Sequence, residues 1–151
     1  MVRKFHHQEK RIIALSDSLT HQQFYNIVKN VKHYPEFLPW CLSAHIIENG
    51  EDFFIADLLV GFKTIREKFR SKVFFDDKKK EIITKGTSQG PLSTMDSHWL
   101  FYKINDNECE VHFSVSLTFS SIITEKLFAP FFNQAIKKMT TAFLTRAKSL
   151  E

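Results

Sequence analysis

The sequence predicts an α+β fold in which a seven-stranded, curved antiparallel sheet wraps around a long C-terminal helix. Apolar and polar residues alternate from residue 41 to residue 119, which indicates a run of strands. After residue 121 the apolar residues recur at intervals of three and four, which indicates a helix. Strands and helices segregated along a chain in this way are typical of a sheet whose helices pack on one face.

Composition predicts one globular domain spanning residues 1–151. With 151 residues the chain can bury a core, and 43% hydrophobic and 25% charged residues exclude both a disordered chain and a membrane bundle. The unusual count is 16 phenylalanines, which predicts a core or a cavity lined with rings. Cys41 and Cys109 fit neither a disulfide framework nor a zinc-ligand spacing, which favours a reducing compartment.

The sequence predicts neither a targeting segment nor a membrane-spanning helix. In the apolar C-terminal half, the longest stretch without Asp, Glu, Lys or Arg is 111–124, shorter than the roughly 18 apolar residues that a spanning helix needs. The N-terminus lacks the apolar region of a secretory signal. We therefore expect the bacterial cytoplasm, with peripheral contact at the inner membrane, or the mitochondrial matrix side for a processed eukaryotic protein.

The N-terminal third predicts a strand, a helix and an aromatic bend. The strand covers residues 4–15, and Ser18 or Thr20 is a suitable N-cap for the helix after it. The apolar face of this helix consists of Phe24, Ile27, Val28 and Val31. Pro35 and Pro39 then allow only a short helical turn in the bend.

A meander of strands follows, separated by turn signals. The alternating segments are 41–47, 53–60, 65–75, 81–87, 94–104 and 110–119. The turns between them are predicted at 48–52, Gly61, 76–80, 86–91 and 105–107. In the last strand the apolar residues occupy one face and polar residues the other, so we expect one buried face and one solvated face.

The C-terminal segment predicts a helix of about 28 residues, long enough to cross the sheet. Its apolar stripe consists of Phe128, Phe131, Phe132, Ala135, Ile136, Met139, Ala142, Phe143 and Leu150. Pro130 lies within this pattern, so we expect a kink or a short first helix that ends before it. A curved sheet around such a helix encloses a space, and concave apolar spaces are where small ligands bind.

The strand 65–75 carries one carboxylate on its inward face. Glu67 alternates with Phe69 and Ser71 there, and a buried charge requires a partner or a proton. Three interpretations are open. Glu67 is a core carboxylate satisfied by a backbone amide or a cation, a contact for the head group of a ligand, or a catalytic acid or base.

The outward face of the same strand carries four cations, which we call the cation row: Arg66, Lys68, Arg70 and Lys72. The row is either an ordinary solvated face or a contact for anionic lipid or ribosomal RNA. A net charge of only +4 argues against a dedicated nucleic-acid binder. Aromatic residues among the cations would favour RNA, but the phenylalanines are expected on the opposite face.

Catalytic and metal-binding motifs are not found in the sequence. It has no G-x-S-x-G, no G-x-x-x-x-G-K-[ST], no G-x-G-x-x-G, no H-E-x-x-H and no S-x-x-K. His6 and His7 are neighbours in a strand, so they point to opposite faces and cannot chelate one ion together. We predict no catalytic residue and no metal site.

Six segments, in order along nearly the whole chain, carry a family resemblance: 34–43 (YPEFLPWCLS), 59–62 (LVGF), 67–73 (EKFRSKV), 90–92 (GPL), 99–101 (WLF) and 142–147 (AFLTRA). They resemble the coenzyme-Q-binding branch of the START-like superfamily of polyketide cyclases and lipid-transport proteins. The branch includes a mitochondrial ubiquinone-binding protein and bacterial relatives, one described as a ribosome-association toxin. Leu92 and Thr118 depart from its pattern, which expects phenylalanine and an acidic residue there.

The resemblance implies a helix-grip fold with a hydrophobic tunnel for a polyprenyl quinone. It implies ubiquinone as a bound ligand, no covalent cofactor and no turnover. By position, the residues expected to line the tunnel or its mouth are Phe37, Leu38, Trp40, Leu58, Val60, Glu67, Phe69, Val73, Trp99, Phe101, Phe132 and Met139.

Three functions follow as alternatives. The first is non-catalytic binding and chaperoning of ubiquinone in support of respiratory electron transport. The second is a ribosome-binding regulator, or toxin, that inhibits association of the ribosomal subunits. The third is an enzyme of the polyketide cyclase type, which would need Glu67 as an acid or base.

Overall fold

A computed structural model of the protein describes residues 3–16, 19–62, 64–90 and 92–149. The candidate N-cap Ser18 and the stripe residue Leu150 lie outside these ranges. The strands are β1 (Arg3–Ala14), β2 (Cys41–Asn49), β3 (Phe53–Phe62), β4 (Ile65–Asp76), β5 (Glu81–Thr87), β6 (Leu92–Asn105) and β7 (Glu108–Phe119). The helices are α1 (His21–Lys29), α2 (Ile122–Phe128) and α3 (Phe132–Ser149), with 3-10 helices at Val31–Glu36 and Ala129–Phe131.

The strands form one antiparallel sheet of seven strands in the order β1-β7-β6-β5-β4-β3-β2. Strands β2 to β7 are consecutive neighbours, which confirms the predicted meander. The first strand pairs with the last, so β1 and β2 are the two edges. The segment between them therefore crosses the concave face, where Phe24 and Tyr25 of α1 pack on Phe101 of β6.

The strand boundaries agree with the prediction to within two residues at each end, and two glycines with turn signals lie inside strands. Gly61 was expected in a turn, but it lies within β3 because its N–H donates to the carbonyl of Trp40 at 2.8 Å and continues the sheet. Gly86 belongs both to the predicted strand 81–87 and to the turn signal 86–91, and the structure confirms the strand, because Gly86 lies in β5 and pairs with Ser71 and Met95. Both glycines are flanked by residues that extend the backbone pairing, and this pairing overrides the turn signal.

The C-terminal segment divides at Pro130, as one of the two predicted alternatives requires. Helix α2 ends at Phe128, a 3-10 turn contains the proline, and α3 runs for 18 residues, or about 27 Å. The single helix of about 28 residues is therefore not formed, because proline lacks the N–H that would continue it. Within the described ranges, no helix is long and apolar enough to cross a membrane.

Helix α1 begins at the predicted alternative cap, Thr20. Its hydroxyl accepts from the N–H of Gln23 at 3.2 Å, and the Gln23 side chain accepts from the N–H of Thr20 at 2.7 Å, which forms a capping box. At its other end Lys29 contacts Asp77 at 3.0 Å, and Tyr25 donates to the same carboxylate at 2.7 Å. These bonds fix α1 against the β4–β5 turn.

The core lies between the concave face of the sheet and helices α1 and α3. In β7 the residues from Cys109 to Phe119 alternate strictly between buried and half-buried, which confirms the predicted two-faced strand. Phe5, Phe119, Phe128 and Phe132 pack their rings at centroid distances of 5.4–6.1 Å and hold the start of α3 against β1 and β7.

Candidate functional site

Several chain reversals meet at one end of the sheet, which we call the mouth end. Strand β3 ends and β4 begins there, and the bend before β2 joins it through the hydrogen bond from Gly61 to Trp40. The β5–β6 loop is tied to the start of α2, because the Ser120 hydroxyl donates to the carbonyl of Gly90 at 3.2 Å. The opposite end, where α1 packs, is called the α1 end.

Glu67 lies at the mouth end and holds the β5–β6 loop. Its side chain is 6% exposed and accepts from the backbone N–H of Leu92 at 2.9 Å and from the Ser88 hydroxyl at 3.1 Å. Gly90 packs so closely that a Cβ atom there would lie 2.7 Å from Cδ of Glu67. The contacts agree with the interpretation of Glu67 as a core carboxylate that is satisfied by a backbone amide.

Ser71 is a second polar residue on the same face of β4. Its side chain is fully buried, and its Oγ has no hydrogen-bond partner among the described residues. A Cβ at the neighbouring Gly86 would lie 2.9 Å from this oxygen, so the glycine leaves room for the hydroxyl. Ser71 is therefore not one of the hydrogen-bond partners of Glu67, although both lie on this face.

The concave face near Ser71 is incompletely covered. Thr84, Met95 and Ser97, in the central strands β5 and β6, are only half-buried. They face the helices, because their cross-strand partners are buried core residues: Val73, Leu117 and Val115. A half-buried set at the centre of a concave face marks a place where the helices do not close fully on the sheet.

The α1 end of the same space is filled with rings. Trp99 packs on Phe113 at 4.3 Å, on Phe143 at 5.2 Å and on Phe101 at 6.0 Å between ring centroids. The gap that remains beside Trp99 and Phe143 has a volume of about 20 Å³, room for one water molecule. This half of the predicted tunnel is closed in the structure.

The predicted ligand residues divide by burial into two sets. The buried set is Leu38, Leu58, Val60, Glu67, Phe69, Val73, Trp99, Phe101 and Phe132. The half-buried set is Phe37, Trp40 and Met139. Two cross-strand pairs, Leu58 with Phe69 and Val60 with Glu67, bring four of these residues together on β3 and β4, whereas Phe132 packs on Phe5 of β1.

The predicted bend at the mouth packs against α3. Rings of Tyr34 and Phe37 both contact Phe143, at 5.3 and 5.4 Å between centroids. The Tyr34 hydroxyl donates to the carbonyl of Val28, and burial raises its pKa far above the usual value. Arg146 of α3 contacts Glu36 at 2.7 Å, and the hydrogen bonds from His33 and Arg146 lower the pKa of that carboxyl.

Larger hollows lie outside the space between the sheet and α3. One of about 270 Å³ lies between α1 and the C-terminal turns of α3 and is lined by residues such as Gln23, Asn30 and Arg146. Another of about 700 Å³ runs along the outer side of α3, past Phe37, Lys138 and Thr145. Both hollows are open to solvent and are lined by polar and apolar side chains together, unlike the enclosed tunnel that the resemblance implies.

The cation row lies on the convex face, as predicted, but it is partly neutralised. Asp57 of β3 binds Arg70 at 2.9 Å and Lys68 at 3.3 Å, and the hydrogen bond from Arg70 lowers the pKa of this carboxyl. The expectation that the phenylalanines lie on the other face is wrong for Phe74, which shares the face of the row. Lys72 lies over the rings of Phe74 and its neighbour Phe53, at 5.1 and 4.7 Å.

Sequence reasoning missed the residues that close the mouth end. Ser88 and Gly90 lie in a predicted turn, and Gly90 also belongs to the segment 90–92 of the resemblance, but the sequence does not predict that both residues contact Glu67. The exposed isoleucines of α2 were missed as well, because they were assigned to the start of one long helix. Neither the pairing of Glu67 with Leu92 nor the unpaired Ser71 hydroxyl has a signal in the sequence.

Comparisons with known proteins place the chain among lipid-transport and cyclase proteins. A family profile described as polyketide cyclase / dehydrase and lipid transport matches residues 18–144. The Ribosome association toxin RatA of Rickettsia prowazekii is 31% identical over 131 residues, which are 85% of this chain and 89% of that protein. The mitochondrial Coenzyme Q-binding protein COQ10 homolog B of Xenopus laevis is 25% identical over 150 residues, 96% of this chain and 59% of that protein.

Solved structures confirm the helix-grip fold. An 18 kDa protein of Caulobacter crescentus has a TM-score of 0.74 at 25% identity and covers 97% of each chain. The Zhui aromatase/cyclase of Streptomyces has a TM-score of 0.79 over 97% of this chain and 94% of its own, but at 12% identity it is similar in fold alone. With its sheet, its terminal helix and the matched profile, this chain belongs to the polyketide cyclase / dehydrase and lipid transport family.

Proposed function

We propose that this protein binds a polyprenyl quinone of the ubiquinone type between the sheet and α3 and holds it without turnover. The observation that carries the proposal is the Ser71 hydroxyl, which is fully buried beside Phe69 and unpaired among the described residues. An unpaired buried hydroxyl costs about 1–3 kcal/mol. A quinone carbonyl would accept its hydrogen bond, while the ring and tail occupy apolar surroundings.

The incompletely covered centre of the concave face supports this location. Thr84, Met95 and Ser97 face it from the sheet, and Met139 of α3 is half-buried as well. A cavity of about 150 Å³ holds benzene, so the gap of about 20 Å³ beside Trp99 cannot hold a quinone ring. The ring is therefore assigned to the Ser71 side, and α3 must move outward to admit the tail, each CH₂ of which contributes about 0.8 kcal/mol.

A non-catalytic role agrees with the contacts of Glu67. Its two carboxylate oxygens accept from Leu92 and from Ser88, so both are engaged in holding the β5–β6 loop. The cyclase alternative would need this carboxylate to exchange a proton with a substrate. A protein that holds quinone in this way would serve respiratory electron transport, in line with the name of the Xenopus relative, a coenzyme Q-binding protein.

The test is uptake of decyl-ubiquinone by the delipidated protein. Trp40 and Trp99 are the only tryptophans in the sequence, so quenching of their fluorescence by the quinone reports binding. We expect saturable quenching by decyl-ubiquinone and none by decanol, which has the tail without the ring. Mass spectrometry of an organic extract from gently purified protein should then detect a quinone. Quenching that rises linearly without saturation would contradict the proposal.

A second candidate function, binding to the ribosome, is favoured by the convex face. Lys72 stands over two rings there, and cations beside aromatic rings are typical of surfaces that bind single-stranded RNA. The Rickettsia relative is named a ribosome association toxin. We expect Lys72→Glu to abolish sedimentation with ribosomes at low salt, while Lys79→Glu in the exposed β4–β5 turn does not. Equal sedimentation of the two variants would exclude this face.

A further inference from the structure

Helix α2 presents an exposed apolar surface at the mouth end. Ile122, Ile123 and Leu127 are 58%, 78% and 43% exposed, and Lys126 lies between them on the same face. We call these four residues the α2 patch. Counted from Ile122, the other three residues follow after one, four and five positions, so all four lie on one side of the helix. Glu125 and Phe128 lie on the opposite side and are buried.

The α2 patch places three exposed apolar side chains side by side within two turns of one helix. Single exposed apolar residues are normal on protein surfaces, whereas a contiguous group marks an interaction site. The patch is also rigid, since the Ser121 hydroxyl caps α2 at 3.3 Å from the N–H of Thr124 and Phe128 packs on Phe119 at 5.5 Å. A surface that is already folded loses little entropy when it binds.

The charges around the α2 patch are positive at the surface. Lys126 belongs to the patch, Lys4 pairs with Thr118 just before α2, and Arg66 begins the exposed face of β4 at the same end of the sheet. Two nearby carboxylates, Glu67 and Glu125, are 6% and 5% exposed. Apolar side chains surrounded by cations are complementary to the acyl boundary and the anionic head groups of a bilayer.

The α2 patch also lies close to the loop that closes the mouth end of the candidate site. The hydroxyl of Ser120 donates to Gly90 at 3.2 Å, and Gly90 lies against the carboxylate of Glu67. The patch therefore begins two residues after the serine that binds this loop. This geometry suits a protein that exchanges an apolar ligand with a membrane.

We propose that the α2 patch docks the mouth end on an anionic lipid bilayer, with Ile122, Ile123 and Leu127 in the interface and Lys126 at the head groups. This membrane contact differs from the one expected for the cation row, which lies on the convex face. It does not depend on which ligand the concave face holds. Docking turns the β5–β6 loop toward the lipid, so the bilayer contact and the opening of the site are in one place.

The experiment is sedimentation with vesicles of phosphatidylcholine alone and with about one third phosphatidylglycerol. We expect the protein to bind the anionic vesicles, and Ile122→Ser with Ile123→Ser to weaken binding at least tenfold. The matched control is Ile12→Ser with Ile104→Ser, which removes isoleucines that are 61% and 47% exposed at the opposite end of the sheet and should leave binding unchanged. Lys126→Glu should weaken it about tenfold.

Three results would overturn the proposal. They are equal binding by the two double variants, loss of binding only in Lys68→Glu on the convex face, and a dimer in solution that the α2 variant dissociates. Circular dichroism checks that each variant is folded, and Ile123→Trp adds a direct measure, because its emission should shift to the blue on anionic vesicles. Uptake of decyl-ubiquinone should be normal in the α2 variants, so failure of docking is distinguishable from failure of quinone binding.

Discussion

The two ends of the space between the sheet and α3 are built from different chemistry. At the α1 end Trp99 and Phe101 pack against rings from α1 and α3 and leave a gap of about 20 Å³. At the mouth end Glu67 binds a loop through two hydrogen bonds, and Ser71 is buried without a partner among the described residues. One end has the composition of a core, and the other has polar groups that a core would not need.

This difference indicates how the fold separates stability from binding. Close-packed rings contribute to the free energy of unfolding through area removed from water, and they leave no room for a ligand. A buried hydroxyl without a partner lowers the free energy of unfolding, and this loss is offset only when a bound ligand accepts the hydrogen bond. Substitutions at the two ends should therefore affect different measurements.

The largest effect is expected at the α1 end, from Phe101→Ala. The ring is 2% exposed and contacts Phe24, Tyr25 and Trp99, so its removal leaves a cavity and should lower the free energy of unfolding by about 3–5 kcal/mol. The control is Tyr102→Ala, the next residue, which is 46% exposed on the other face. Urea denaturation measures both, and a similar loss in the two variants would contradict a core at this end.

A smaller loss is expected at the mouth end, from Glu67→Gln. Glutamine keeps one acceptor oxygen but loses the charge that strengthens the bonds from Leu92 and Ser88, so the loss should be about 1.5–3 kcal/mol. The amide of Leu92 should exchange with deuterium faster, while Glu51→Gln in the exposed β2–β3 turn leaves it unchanged. Unchanged exchange at Leu92 would show that Glu67 does not hold the loop.

The sequence predicted the sheet well because the alternation of apolar and polar residues in a strand indicates which of its faces is buried. In β7 each inward position is apolar, and the turns between strands carry clusters of polar residues and glycine. Pro130 likewise predicted a division of the C-terminal helix, since its missing N–H acts locally. Gly61 was placed wrongly, because its conformation depends on a hydrogen bond to Trp40, a residue distant in sequence.

The candidate site was less predictable, since it depends on which distant residues meet. The sequence identified Glu67 as inward, but the choice between core, ligand and catalysis required its partners in the β5–β6 loop. The resemblance implies, by position, that Phe132 and Trp99 line the tunnel. The structure places Phe132 against Phe5 and Trp99 against Phe113, and a residue's position in the chain does not distinguish such packing from a cavity wall.

The two cysteines allow the ends to be compared by chemical labelling. Burial raises the pKa of both thiols to about 11, so at pH 8 neither is ionised and their intrinsic reactivity is matched. Cys41 begins β2 at the mouth end, and Cys109 pairs with Ile13 near the α1 end. If the mouth opens locally, Cys41 should react on the order of tenfold faster, and bound decyl-ubiquinone should slow Cys41 alone.

Equal labelling rates would show that both ends open only when the whole protein unfolds.

The raised pKa values of the two thiols also predict a pH dependence of the free energy of unfolding. The unfolded thiols ionise near the usual value of 9.0, whereas the folded thiols keep their protons until about pH 11. The unfolded state therefore binds fewer protons in this window, and the free energy of unfolding should fall as the pH rises from 9 to 11.

The smallest expected effect, with opposite signs in two measurements, comes from Ser71→Ala. Removal of a buried hydroxyl that has no partner among the described residues should raise the free energy of unfolding by up to about 1 kcal/mol. The same change should weaken decyl-ubiquinone binding about three- to tenfold, because the quinone carbonyl loses its donor. Ser114→Ala on the convex face should change neither quantity. A loss of stability in Ser71→Ala would mean that the hydroxyl serves the fold, and the mouth end would then be core like the α1 end.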